Sequence, residues 1–151
     1  MDLQTLNHVP ESEAMHHFMQ CCTSERWVAQ MVTARPFDSI EQLHDTADHI
    51  WQQLGEEDYL QAFDGHPKIG DVSSLRAKYA NTKALASGEQ SAVNVASDEV
   101  LKALAQGNTD YQEKFGFIFI VCATGKSAEQ MLQLLQARLP NDRTSELANA
   151  A

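Results

Sequence analysis

Apolar residues recur along this chain at steps of three and four, the period of a helix with one buried face. Ile40, Leu43, Ala47, Ile50 or Trp51, and Leu54 form one such stripe, and Met131, Leu132, Leu135 and Leu139 form another. Trp27, Val28, Met31 and Val32 make a shorter stripe, and Val100, Leu101, Leu104, Tyr111 and Phe115 a longer one strained by Gly107. Three quartets mark helix starts: Ser39 to Gln42, Ser87 to Gln90 and Ser127 to Gln130, each Ser-x-Glu-Gln. In such a capping box the serine oxygen and the glutamine side chain each satisfy a backbone N–H that the first helical turn leaves unpaired. The spacing predicts helices over 11–22, 24–34, 39–54, 56–63, 87–96, 98–115, 127–139 and 142–150. The expected fold is therefore all-α, with about eight helices in one domain over residues 1–151. His66 to Ser74 carries Pro67 and Gly70 and reads as a loop. Phe117 to Val121 is β-branched and aromatic, which suits a strand. No strong partner strand exists elsewhere, so this stretch is expected as a buried link, extended or helical.

Composition narrows the function classes. A chain of 151 residues, 43% hydrophobic, can support a real core, burying roughly 70% of the surface it exposes when unfolded. A net charge of −10 argues against nucleic acid and anionic membrane as partners, because both need a basic face. It leaves room for a small anionic substrate in a locally positive pocket. No apolar run approaches the ~20 residues of a membrane span. Met1 to Pro10 lacks the basic-then-apolar pattern of a secretory signal, and Asn149-Ala150-Ala151 is not a peroxisomal address. Cys21 and Cys22 are adjacent and Cys122 is distant, an odd set that reads as reduced thiols in the cytoplasm.

Three groups of residues could carry chemistry. His66 lies in Gly65-His66-Pro67-Lys68-Ile69-Gly70-Asp71, where proline restricts the residue before it to extended backbone. An imidazole on stiffened backbone between two glycines is well placed for acid–base work near neutral pH. By pattern alone, a plain turn explains His-Pro somewhat better. Glu89-Gln90, at a helix start, could hold the donors and acceptors of a heterocycle. The two sister quartets make capping the simpler reading there. His44, Asp45, Asp48 and His49 pair at four-residue spacing and could bind a metal, with His44, Asp48 and His49 as the set for a metal-dependent hydrolase. The full His-Glu-x-x-His arrangement is missing, and a solvated helix face looks the same. A non-enzymatic acidic helical interaction module is the other reading that the residues leave open.

Several blocks taken together resemble one family. These are Phe63-x-x-His66-Pro67-x-Ile69-Gly70, then Glu89-Gln90, then Tyr111-x-x-Lys114-Phe115-Gly116-Phe117-x-Phe119-Ile120 with Gly125-Lys126-Ser127. In this order they look like the 2-oxo-4-hydroxy-4-carboxy-5-ureidoimidazoline (OHCU) decarboxylases, from about Asn7 to the end of the chain. The resemblance implies an all-helical enzyme of urate catabolism that converts OHCU to (S)-allantoin without metal or organic cofactor. The family is often dimeric, so a homodimer is among the partners implied. By resemblance, His66 is the catalytic histidine, Glu89 and Gln90 hold the substrate, and Pro67 shapes the pocket. Backbone groups of Phe117, Ile118, Phe119 and Ile120 would contact the ring, with Ser87 contributing nearby. The family pattern also implies a final helix running further, with an arginine that neither Arg138 nor Arg143 matches. The chain is accordingly expected to lack the end of that helix.

Overall fold

A computed structural model of the chain describes residues 1–68, 70–76 and 93–151, with side chains of the last stretch from residue 98 on. The described residues are helical and contain no strand, which agrees with the all-α expectation. Contacts divide the chain into two compact units, Met1–His66 and Pro67–Ala151.

The first unit holds α1 (Leu3–His8), α2 (Glu11–Cys21), α3 (Glu25–Ala34), α4 (Ile40–Gln52) and α5 (Glu56–Asp64). Its core gathers Phe18 from α2, Trp27, Val28 and Met31 from α3, and Ile50 from α4. Phe18 and Trp27 meet edge to face at 5.9 Å, and the Trp27 indole N–H donates to Ala47 O at 3.2 Å. That bond satisfies the polar edge of an otherwise apolar group, as burial of an indole requires. Ile40, assigned above to the apolar stripe, is instead 51% exposed. It is the first residue of α4, ahead of the turn where the helix reaches its neighbours.

Helix α1 is absent from the sequence expectation. Its six residues are too few to show a 3.6-residue period, so its anchors are tertiary. Asn7 exchanges two hydrogen bonds with the backbone of Phe37, at 2.8 and 2.9 Å. The Arg35 guanidinium donates to Leu6 O at 2.8 Å and Val9 O at 2.9 Å. A cation on the unpaired carbonyls of a helix end is favourable twice over, by hydrogen bond and by dipole.

The second unit contains a helical turn at 72–76, α6 (Val93–Phe115), α7 (Ala128–Arg138) and α8 (Arg143–Ala150). Two boundaries differ from expectation. Asp71 accepts from the Ser74 N–H at 2.9 Å, so the predicted loop stops there and a helical turn begins. This hydrogen bond also lowers the Asp71 pKa. The break expected at residue 97 does not occur, and α6 runs unbroken for 23 residues. A serine inside a helix costs only a fraction of a kcal/mol, about 0.5 relative to alanine, so a start signal alone does not stop one.

The capping boxes differ among themselves. At Ser127 both bonds form, Gln130 N–H to Ser127 Oγ at 3.2 Å and Ser127 N–H to Gln130 Oε1 at 2.9 Å. At Ser39 the serine caps Gln42 N–H at 3.1 Å, but the Gln42 side chain accepts from Asp38 instead of Ser39. The Ser87 quartet lies outside the described residues.

Gly107 has a packing role. A Cβ there would lie 2.5 Å from Leu135 Cδ2 on α7, and Leu135 is fully buried. Alanine favours helix over glycine by about 1 kcal/mol, while overpacking a core costs about 1–3 kcal/mol. Gly107→Ala is therefore expected to destabilise the protein by about 1 kcal/mol in urea unfolding. A variant more stable than the parent would show that α6 and α7 can part without cost.

Candidate functional site

The His66 element follows α5 directly. Gly65 continues the helical backbone, and the N–H groups of Gly65 and His66 close the turn onto Ala62 O at 3.2 Å and Phe63 O at 3.0 Å. Ala62 and Phe63 are buried, so the turn is anchored from below, while His66 and Pro67 are exposed. The imidazole thus stands on a fixed support with its ring open to solvent. Such placement suits a group that must exchange protons.

The Phe117 to Ile120 segment belongs to the second unit. Helix α6 ends at Gly116, whose φ of +81° only glycine adopts cheaply, and Gly116 N–H bonds back to Gln112 O at 2.9 Å. Beyond it the chain is neither helix nor strand, with a bend at Phe117, so the helical form of the two expected does not occur. Phe117 and Phe119 are buried, while Ile118 and Ile120 are half-buried, an alternation of period two. Phe117 and Phe119 join Tyr111 and Phe115, with Tyr111 ring centroids 4.5, 6.0 and 5.3 Å from Phe115, Phe117 and Phe119. The Tyr-x-x-Lys-Phe-Gly-Phe-x-Phe pattern is, physically, this aromatic cluster.

Arg138 holds the cluster and the segment together. Its Nη1 donates to Ile120 O at 2.7 Å, its Nη2 to the Tyr111 hydroxyl at 3.3 Å, and its Nε to Glu146 at 2.7 and 3.1 Å. The guanidinium also lies 4.8 Å from the centre of the Phe119 ring. Glu146 is fully buried and accepts a further bond from Asn149 at 2.9 Å. Burial pushes the Tyr111 hydroxyl pKa up to about 12, opposed by the Arg138 charge. Arg143 donates to Phe115 O at 3.2 Å, and Lys114 bonds Leu139 O. Both arginines weighed in the sequence are thus bound to protein groups.

The 68–72 segment faces α6 across an open cavity of about 570 Å³, with Lys68, Asp71 and Val72 on one wall and Lys102, Gln106 and Thr109 on the other. Two lysines give this surface a local positive character despite the net charge of −10. Ser87, Glu89 and Gln90, together with Ile69, lie outside the described residues.

The alternative cluster forms no site. His44, Asp45, Asp48 and His49 are all exposed on α4, and His49 pairs with Gln53 at 3.1 Å. Among the described residues no group of three or more ligating side chains is placed to hold a metal ion. His8 bonds Gln4 O at 2.7 Å, and His17 faces Glu13 at 3.8 Å, both at helix surfaces.

Sequence reasoning passed over Thr23, Arg138 and Glu146 as supporting residues. Arg138 and Glu146 are eight residues apart across a helix junction, so no local period links them. The one available signal was the pairing of opposite charges on two otherwise amphipathic helices.

Comparison with known proteins agrees with the blocks noted in the sequence. The family model for OHCU decarboxylase matches residues 7–151. The "Uric acid degradation bifunctional protein TTL" of Arabidopsis thaliana is 36% identical over 131 residues, covering 87% of this chain and 40% of that protein. The chain thus spans less than half the length of that relative, and 29% of the length of a "Uric acid degradation bifunctional protein" from a Bacillus species. The 2-oxo-4-hydroxy-4-carboxy-5-ureidoimidazoline decarboxylase of Haloferax volcanii is 22% identical over 151 residues, covering 99% of this chain and 87% of that one. A crystal structure of OHCU decarboxylase in the presence of (S)-allantoin is similar with a TM-score of 0.65 and 34% identity, covering 89% of this chain and 85% of that chain. With its family model matched from residue 7 to residue 151, its helical fold shared, and its His66 and Tyr111–Ile120 blocks in order, this chain belongs to the OHCU decarboxylase family.

Proposed function

We propose that this chain decarboxylates OHCU to (S)-allantoin in urate degradation, with His66 as the reacting acid–base group. The observation that carries this is the 34% identity, over 89% of the chain, to an OHCU decarboxylase solved in the presence of (S)-allantoin. Glu89 and Gln90 bind the ureido and ring groups in this reading, with Ser87, Pro67 and backbone groups of Phe117 to Ile120 completing the pocket.

The substrate supplies its own electron sink. The carbon that carries the carboxylate and hydroxyl adjoins a C=N bond. Loss of CO₂ leaves an electron pair that forms a C=C bond as the C=N pair moves onto nitrogen, which takes a proton. The hydroxyl proton then leaves, a carbonyl forms, and the neighbouring carbon is protonated on one face. The protein has to hold the carboxylate out of the ring plane and manage three proton movements. Orientation can lower the barrier by several kcal/mol, up to about 7 or more. A placed acid–base group adds about 10²–10⁴-fold. Lys68 and Lys102, on opposite walls of the open cavity, favour an anion there. Clamping the reacting carboxylate itself would stabilise the ground state and oppose loss of CO₂.

The reading extends to place and assembly. The three cysteines are free, which suits a reducing compartment such as the cytoplasm. No described helix is long and apolar enough to cross a membrane. A homodimer is the proposed assembly.

The test compares decay of OHCU, formed in place from urate by the two upstream enzymes, with and without this protein. Exhaustive chelation should leave the acceleration unchanged. Activity lost to chelator and restored by a divalent ion would contradict the mechanism. A second experiment separates binding from capping. Glu89→Gln should lower turnover by more than its stability loss explains, whereas Glu41→Gln, at an exposed position of the Ser39 quartet, should change neither much. Equal small effects from both would return Glu89 to a capping role.

A further inference from the structure

The His66 imidazole can be placed no better than the turn that carries it. Thr23, in the short connection between α2 and α3, packs against that turn. Its hydroxyl donates to Gln61 O at 2.9 Å and Ala62 O at 3.2 Å, so Ala62 O receives both Thr23 and the Gly65 N–H. A return tie runs from Glu25 N–H to Gln61 Oε1 at 2.9 Å. The last turn of α5 is thereby bound to the 23–25 segment through both backbone and side chain.

Gly65 makes this approach feasible. A Cβ on Gly65 would lie 2.2 Å from Thr23 Oγ1, 2.4 Å from Thr23 Cγ2 and 2.9 Å from Thr23 Cβ. Its backbone, at φ −76° and ψ −14°, suits any L-residue, so conformation does not require glycine here. Space does. Turning the stiff threonine side chain would move Oγ1 and Cγ2 but not Cβ, so the overlap can be relieved only by shifting backbone. The backbone that shifts is the one leading into His66.

We propose that Thr23 and Gly65 form a size-complementary pair that sets the position of His66, with Thr23 a positioning residue for the imidazole. This rests on His66 being the reacting histidine. The pair is specific because a filled position on one segment requires an empty one on the other.

The test uses the full chain with Gly65→Ala, Thr23→Gly and the double variant, reading kcat, KM, thermal unfolding and the NMR signals of the His66 ring. Those signals are identified by their loss in His66→Gln. Gly65→Ala should lower kcat by about 10–100-fold with KM changed by no more than about twofold, and should move the ring signals. The double variant should return the signals towards their original positions and exceed Gly65→Ala in kcat by about tenfold, a non-additivity that contacting residues show. Thr23→Val keeps the shape but loses the hydroxyl, and should lower kcat without changing KM even if Gly65→Ala folds poorly. Unmoved ring signals in Gly65→Ala, or a loss of turnover in Gly65→Ala that the double variant does not recover, would overturn the proposal. Ring signals that move and recover while every variant, including His66→Gln, keeps full turnover would uphold the pair and remove His66 from the mechanism.

Discussion

Replacing His66 by glutamine or asparagine is expected to lower turnover by about 10²–10⁴-fold, the usual worth of a placed acid–base group. The fold should survive. His66 is exposed, and exposed substitutions usually change stability by no more than about 0.5 kcal/mol. Its support comes from buried Ala62 and Phe63 and from backbone hydrogen bonds, none of which uses the imidazole. The loss should fall on kcat, since the ring is assigned a proton and not the binding of the anion. A folded variant with near-normal turnover would take His66 out of the chemistry.

The largest stability effect is expected at Glu146. Its carboxylate is fully buried, and the Arg138 side chain is only 13% exposed. Glu146→Ala leaves that guanidinium charged and without its carboxylate, an arrangement that costs about 3–5 kcal/mol. Against a total stability of about 5–15 kcal/mol, this brings the fold close to failure. Replacing both partners by apolar residues, as in Arg138→Met with Glu146→Leu, should recover much of the loss, because buried pairs rarely exceed a well-packed apolar substitute. Turnover should recover less. Arg138 also holds Ile120 O at 2.7 Å, so the double variant frees the Phe117 to Ile120 segment proposed to line the pocket. Urea unfolding of the two variants measures the first part and kcat/KM the second. A Glu146→Ala protein within about 1 kcal/mol of the parent would show that Arg138 finds water or another partner.

Among the described residues, helices were legible where a stripe met a cap. Helix α4 was expected over 39–54 and spans Ile40–Gln52, and α8 was expected over 142–150 and spans Arg143–Ala150 with Asp142 capping Ser145. Helix α1 was not legible because six residues show no period, and its hold comes from Arg35 and Asn7. The candidate site was legible in part, for a similar reason. His66 stands out because proline follows it. Glu89 does not, since a carboxylate in a Ser-x-Glu-Gln quartet is spelled the same whether it caps a helix or holds a ligand. Thr23 and Gly65 are 42 residues apart, and the requirement that joins them is steric, which no local pattern records.

The most direct test of the central claim is circular dichroism of allantoin as it forms. Urate is oxidised and hydroxyisourate hydrolysed in place, and OHCU is left to react with and without this protein. The account predicts rapid accumulation of the (S)-enantiomer when the protein is present, and slower formation of racemic allantoin when it is absent. Equal rates and no enantiomeric excess with folded protein present would contradict it.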